Sequence, residues 1–397
     1  MKKMYDFETM INRTKTGSQK WDDMKEINHN IPNDIYPFSL ADSDLQLAPE
    51  IIEGLKEKIN NHLSLGYTHA DEEYNHALQQ WFLTHHHYTI QSEWIVQTPG
   101  VVSAVNFAIR ALTNENDGVL LMTPIYYPFY ETLEKTKRRL VECPLINKGC
   151  RYEIDFDDLE DKMREKNNTM LILCSPHNPI GRVWTKEELT RIAHLCLQYG
   201  IYLISDEIHA DLIMNGHTHH MMGSISKEIE QHVIMCTAAS KTFNIAGQCV
   251  SNIIIPNDEW RQKFIEEKES YGIKGVNALG LMTTQIAYER GGQWLEAFLN
   301  LVETNHQLIK SFFAKYFPKV HVFDLEGTYL QWVDFRPLGF TPEELEHFLN
   351  DEAYDFFDQG YIFGHDAAGF ERINLSASTE SISAMLQRFK EAFEHHQ

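Results

Sequence analysis

Basic residues are scarce in this chain: 35 Lys and Arg stand against 57 Asp and Glu, a formal net charge of −22. That balance excludes a phosphate-backbone binder, which needs clustered Lys and Arg. Its plain consequence is solubility. No apolar run is long enough to span a bilayer, and the opening residues MKKMYDFETM carry no signal-peptide core. Pro/Gly-rich tracts and internal repeats are missing too, which argues against a disordered or solenoid chain. The six cysteines, Cys143, Cys150, Cys174, Cys196, Cys236 and Cys249, show no metal-ligand spacing. Three of them sit inside apolar runs, as buried reduced thiols do, so we expect a cytoplasmic protein.

What is present is a large supply of core. Of 397 residues, 43% are hydrophobic, enough for two to three domains by size. Residues 48–63 and 71–86 place apolar side chains at helical spacing, with Pro49 suited to a first turn. Short apolar, β-branched runs then alternate with helical stretches. WIVQT, GVLLM, TMLILC, IYLIS and HVIMCTAA read as strands; 101–112, 129–136 and 186–198 read as helices. Strands without polar alternation belong to a parallel sheet covered on both faces. After about residue 256 the pattern turns helical, with a long amphipathic stretch over 297–317. The end is mixed: GTYLQWVDF and GFERINLSA as strands, a helix capped by Thr341, and a last helix near 379–393. We expect an α/β fold with a large doubly wound domain over 48–288. A smaller α+β domain would form from 289–397 together with the segment 1–47.

The stretch YLISDEIHADLIMNG poses the chemical question, because it drives Asp206 to the end of an apolar strand. A buried carboxylate is costly unless a donor or cation meets it. Asp206 either caps the next turn or awaits a cation. Ligands of doubly wound sheets sit at the carboxyl ends of strands, and three other strand ends carry polar groups. Gly100 in TPGVVSAV opens a helix whose free N–H groups suit an anion. Asn178 stands between two prolines in SPHNPIG, and Lys241 stands beside Ser240 in ASKTFNIAG. Desolvation there would lower the lysine pKa and make the amine nucleophilic. An anion cradle, an amide, an acid and an amine together match pyridoxal 5'-phosphate, with Asp206 at the ring nitrogen and Lys241 as Schiff-base former.

In this order, Gly100, NPIG, SDEIH, SKTFNIAG and FERIN resemble the fold-type I pyridoxal-phosphate enzymes of the class I/II aminotransferase superfamily. SQKWDDM, PFSLADSDLQLAPEI, LGYTHADEEY, LCSPHNPIGRVW, ISDEIHADL and GTYLQWVDFRPL are similar to the cystathionine β-lyase-like C–S lyases, over nearly the whole chain. The resemblance implies α,β-elimination from L-cysteine S-conjugates, releasing thiol, pyruvate and ammonia, in a homodimer with shared active sites. It makes Lys241 the Schiff-base lysine and the acid/base at Cα, and Asp206 the partner of the ring nitrogen. Asn178 would bond the ring's phenolic oxygen, with His209 near that atom. Tyr126, or less favourably Tyr127, would stack on the ring. Gly100, Val101 and Ser240 would contact the phosphate, and Tyr67 the phosphate of the neighbouring subunit. Arg372 would clamp the substrate carboxylate with its planar fork, helped by the backbone of Ala41.

Some positions depart from the family's habit. Cys249 stands where many aminotransferases have an arginine, Ala238 where they often have serine, and Ser43 where the lyases usually have methionine. Ser43 is expected to tune the substrate entrance. Other polar clusters have plainer readings. His85, His86 and His87 end a helix, and consecutive helical positions point in different directions, which disfavours a metal site. His217, His219 and His220 read as a polar loop, Glu207 and Asp211 as structural acids, and Trp81 and Phe82 as core. An aminotransferase on the same scaffold, or a regulatory binding protein, are the rival readings.

Overall fold

The computed structural model describes residues 5–61 and 65–396. Seven strands form the central sheet: β1 (Ile95–Thr98), β2 (Gly118–Thr123), β3 (Arg139–Pro144), β4 (Asn168–Cys174), β5 (Tyr202–Asp206), β6 (Val233–Thr237) and β7 (Ser251–Ile254). Their order is β1-β7-β6-β5-β4-β2-β3. From β3 to β6 all neighbours are parallel; β7 runs antiparallel to both β6 and β1. The sheet is therefore mostly parallel, as expected, with one reversed strand.

Alternation along each strand explains why both faces are covered. Val119 and Leu121 of β2, with Met170 and Ile172 of β4, enter one core cluster; Leu120, Met122, Leu171 and Leu173 enter the other. Successive side chains point to opposite faces, so a continuously apolar strand needs helices on both. The helices at Val101–Leu112 and Asp258–Ser270 cover the first face through Val105, Phe107 and Phe264. Those at Glu72–His86 and Lys186–Tyr199 serve the second through Leu78, Trp81, Leu189 and Ile192.

Two strands of this sheet escaped the sequence reading. β3 is an edge strand with only Val141 and Cys143 buried, so its pattern is mostly polar. β7 has four residues directly after an irregular loop. The helix expected over 48–63 runs Pro49–Asn61, and residues 62 and 63 lie outside the described residues. The long amphipathic helix begins earlier than expected, at Gly292, and ends at Tyr316. Thr341 caps its helix through a reciprocal bond with Glu344.

A second sheet is built near the C-terminus from β8 (His321–Val322), β9 (Leu330–Asp334), β10 (Asp358–Gln359) and β11 (Phe370–Asn374), in the order β8-β9-β11-β10 and antiparallel throughout. The N-terminal segment is laced to it. The Phe38 N–H donates to the Phe356 carbonyl at 2.9 Å, and the Asn374 N–H donates to the Phe38 carbonyl at 2.8 Å. Among the described residues no helix is long and apolar enough to cross a membrane.

Candidate active site

A cavity of about 350 Å³ opens at the carboxyl ends of β4 and β5, between the central sheet and the second sheet. Ten sequence-predicted residues line it: Gly100 and Val101, Tyr126, Asn178, Asp206 and His209, Ser240 and Lys241, and from the second unit Ala41 and Arg372. Chain positions as distant as Ala41 and Arg372 thus meet at one place. Tyr67 does not join them. It is fully exposed and borders a neighbouring groove that shares only Pro99 with the cavity.

Each group arrives there for a local reason. Gly100, at φ +132°, makes the turn from β1 into the helix Val101–Leu112 and is followed by no side-chain cap. That backbone conformation favours glycine, and it leaves the first N–H groups of a 12-residue helix open to an anion. Asp206 ends β5, its carboxylate almost wholly buried. Burial pushes its pKa up to about 7, and only the Ile208 N–H, donating at 3.1 Å, and the Lys241 charge work visibly against this. Asp206 is therefore a buried acid whose counter-group is not supplied by its own fold.

Lys241 follows β6 on a one-turn helix, Ala239–Thr242. Its Nζ donates to the Ala41 carbonyl at 2.9 Å. Burial, and then the charge of Arg372, pull its pKa down to about 8, against the pull of Asp42, Asp206 and Asp358. An amine in that state is partly neutral near physiological pH, as a nucleophile or proton acceptor must be. His209 is buried with Nδ1 unpartnered. Burial and the charges of Lys241 and Arg372 hold its pKa well below the ordinary value, so the ring is neutral. Burial raises the pKa of the Tyr126 hydroxyl.

Arg372 lies on β11, fully buried, with its guanidinium 4.6 Å from the centre of the Phe363 ring. Its Nη1 donates to Asn178 Oδ1 at 2.8 Å. Because that contact occupies the Asn178 carbonyl, the Nδ2 amide is the group Asn178 can offer to a ligand oxygen. Arg372 Nε and Nη2 both donate to Asp358 Oδ2, at 3.0 and 2.6 Å. Asp358 was not anticipated. It stands on β10 directly opposite Arg372, a pairing that exists only once the strands are in register. Gln19, Asp42 and Tyr127 also line the cavity.

One expectation is corrected and one is refined. Ser43 does not line the entrance. It is buried, and its Oγ donates to the Ser376 carbonyl at 2.8 Å while its N–H donates to Asn244 Oδ1 at 3.0 Å. A hydroxyl so engaged serves the chain's own backbone. His219 lies in a loop, as expected, but it is turned inward and buried, with Nε2 2.9 Å from Glu207 Oε2. The remaining plain readings stand. Asp211 and Glu207 are structural, Trp81 and Phe82 are core, and His86 is engaged with Asp211. No metal-binding group of His, Cys, Asp or Glu occurs among the described residues. Of the cysteines, Cys143, Cys174, Cys196 and Cys236 are buried and Cys150 and Cys249 exposed, all free. Cys249 borders the cavity.

A sheet of this order with an acid, an amide and an amine at its strand ends defines a fold-type I transferase. The chain belongs to the aminotransferase class I and II family, whose model matches residues 36–389. It is 36% identical to the cystathionine β-lyase PatB of Bacillus subtilis, over 97% of this chain and 99% of the relative. The crystal structure of cystalysin from Treponema denticola, which contains pyridoxal 5'-phosphate, superposes with a TM-score of 0.97 at 42% identity, covering 99% of this chain and 100% of that one. The PLP-bound C–S lyase of Staphylococcus hominis follows with a TM-score of 0.90 at 30% identity, over 98% of both chains.

Proposed function

We propose that this chain is a pyridoxal-phosphate-dependent C–S β-lyase. It cleaves S-substituted L-cysteines, cystathionine among them, to thiol, pyruvate and ammonia. The observation that carries the choice of reaction is the single arginine in the cavity. Among the described residues lining it, Arg372 is the only one, so there is one clamp for an α-carboxylate and no second for an acidic side chain. That suits a substrate whose β-carbon carries a thioether sulfur in place of a carboxylate, and this chain's share of the lining offers no arginine to the far carboxylate of cystathionine.

The residues present fit the cofactor. An anion-ready helix end at Gly100 and Val101, with Ser240, suits a phosphate. The under-partnered Asp206 suits a protonated ring nitrogen, and the amide of Asn178 suits a phenolic oxygen. Bound there, the cofactor provides an electron sink for the pair left when the Cα–H bond breaks. Asp206 would hold a proton at the ring nitrogen, Tyr126 would cover the ring face, and Arg372 would fix the substrate carboxylate. Lys241 Nζ, an amine whose pKa is lowered to about 8, would take the Cα proton. The Cβ–S bond then breaks, and sulfur leaves with its electron pair and gains a proton. The enamine left behind is hydrolysed to pyruvate and ammonia, water supplying the keto oxygen.

In this reading 48–288 is the cofactor-binding domain and 289–397, with 1–47, the smaller one. The enzyme is a cytoplasmic homodimer, in which Tyr67, exposed beside Pro99, reaches the partner's phosphate. Sedimentation should find a dimer; an active monomer overturns the shared site. The reaction itself is tested by incubating the holoenzyme with cystathionine and no keto-acid acceptor. Homocysteine, pyruvate and ammonia should accumulate in equal amounts over many turnovers. Product that stops at one equivalent per site, and resumes only with a keto acid, makes the enzyme a transaminase.

A further inference from the structure

The substrate-carboxylate clamp has two halves from opposite ends of the chain. Arg372 comes from β11, and the Leu40–Ala41 peptide from the N-terminal segment. One side chain touches both. Asp358 takes two bonds from Arg372 at its Oδ2. It also accepts the Leu40 N–H, at 3.2 Å to Oδ1 and 3.0 Å to Oδ2. Leu40 has φ +52°, a conformation costly for a leucine, which persists only where the surroundings impose it. Asn374, two residues beyond Arg372 on the same strand, completes the hold. Its Nδ2 donates to the Leu40 carbonyl at 2.6 Å and to the Asp42 carbonyl at 2.9 Å. Ala41 lies within that strap, and its carbonyl receives Lys241 Nζ.

We propose that Asp358 is a positioning residue that sets the two halves of the carboxylate clamp in register. Its carboxylate orients the guanidinium so that Nη1 faces Asn178. Through Leu40 it fixes the strap that carries Ala41. The buried Arg372–Asp358 pair, 2.6 Å apart, is more than an isolated ion pair, because Oδ2 takes the guanidinium and the Leu40 N–H together while Oδ1 also takes the Leu40 N–H. An asparagine at that place keeps the shape but carries no charge, and its amide nitrogen, standing where one carboxylate oxygen was, sets a donor against the Leu40 N–H or the guanidinium.

The inference rests on the amino-acid substrate of the proposed function but not on thioether cleavage. The probe is therefore L-alanine, which has the α-carboxylate and no leaving group. Its binding to the holoenzyme is followed by the cofactor's visible absorption, beside ethylamine, which lacks the carboxylate. Asp358→Asn should weaken L-alanine on the order of 10-fold and ethylamine by no more than about twofold, as for lost bonds to a charged group. The melting temperature of each holoenzyme is read alongside. Asp358→Glu, which retains the charge, should recover part of the discrimination. Wild-type affinity of Asp358→Asn for L-alanine overturns the proposal. So does an equal loss for both ligands, which marks a general structural role. If Asp358→Asn yields no folded holoenzyme, Asp358→Glu decides. Discrimination between the two ligands below that of the wild type supports the proposal, and unchanged discrimination overturns it. A wild type that binds L-alanine but cleaves no thioether defeats the lyase reading and leaves the clamp intact.

Discussion

Asp206, at the end of β5, and Asp211, five residues on in the loop that leaves it, both have largely covered carboxylates, and their surroundings treat them in opposite ways. Asp211 faces the back of the loop. It accepts Trp81 Nε1 at 2.8 Å and Thr242 Oγ1 at 2.7 Å, and lies 2.8 Å from His86 Nε2. Burial alone would raise its pKa, but the bonds and charge of His86, with those of Thr242 and Trp81, hold it below the ordinary value. Asp206 faces the cavity with one backbone donor and a pKa near 7. The next turn of chain repeats the division: Lys241 points to the cavity and Thr242 to Asp211. A buried carboxylate met by its own fold is structural; one left short of partners is held ready for a ligand that brings the missing charge.

The front of the loop should carry activity and the back stability. Lys241→Ala should abolish the visible absorption of the lysine-bound cofactor and cost ~10⁴-fold in turnover, the upper range for a positioned acid–base group. Its melting temperature should hardly change. Colour and turnover that both survive would erase the distinction.

The two aspartates should respond to asparagine with opposite sign. In cofactor-free protein the folded state keeps a proton on Asp206 up to about pH 7, whereas the unfolded chain releases it near 3.8. The stability this proton contributes is present in acid and lost as pH rises through that window. Asp206→Asn should therefore stabilise the cofactor-free protein relative to wild type. The gain should grow from about pH 4 to about pH 7, to a limit on the order of 4 kcal/mol. Asp211 has a lowered pKa, so its contribution is present above the unfolded value and lost only as pH falls through the folded one. Asp211→Asn should cost about 3 kcal/mol at neutral pH, in the range for a broken buried pair, and fade toward wild type in strong acid. Urea unfolding across pH reads both; curves that move together would break the contrast. The smallest effect should be Thr242→Val, about 2 kcal/mol of stability for one bond to a buried charge, with turnover within about twofold of wild type. A large loss of turnover there would move Thr242 to the front.

Much of this was legible in the chain. The strand ends, the amine at Lys241, the amide at Asn178 and the isolated acid at Asp206 follow from where polar residues interrupt apolar runs. That pattern is local, and burial makes it informative. The edge strand β3 was not legible, because one exposed side and few neighbours leave a mostly polar run. Neither was the reversed strand β7, too short to show a period.

The sequence by itself determined which groups would be costly to bury, and hence that Asp206 and Lys241 needed a reason to be where they are. Only the tertiary structure supplied the partners that answer Asp211 and leave Asp206 short of them. Trp81 and His86 reach Asp211 across more than a hundred residues, and no local pattern encodes such a meeting. The same holds for Asp358 and Arg372, and for Ser43 and Ser376. Hydrogen bonding depends on position in space, and chain separation carries no record of it until the sheets have paired and the N-terminal strap has been laid across them.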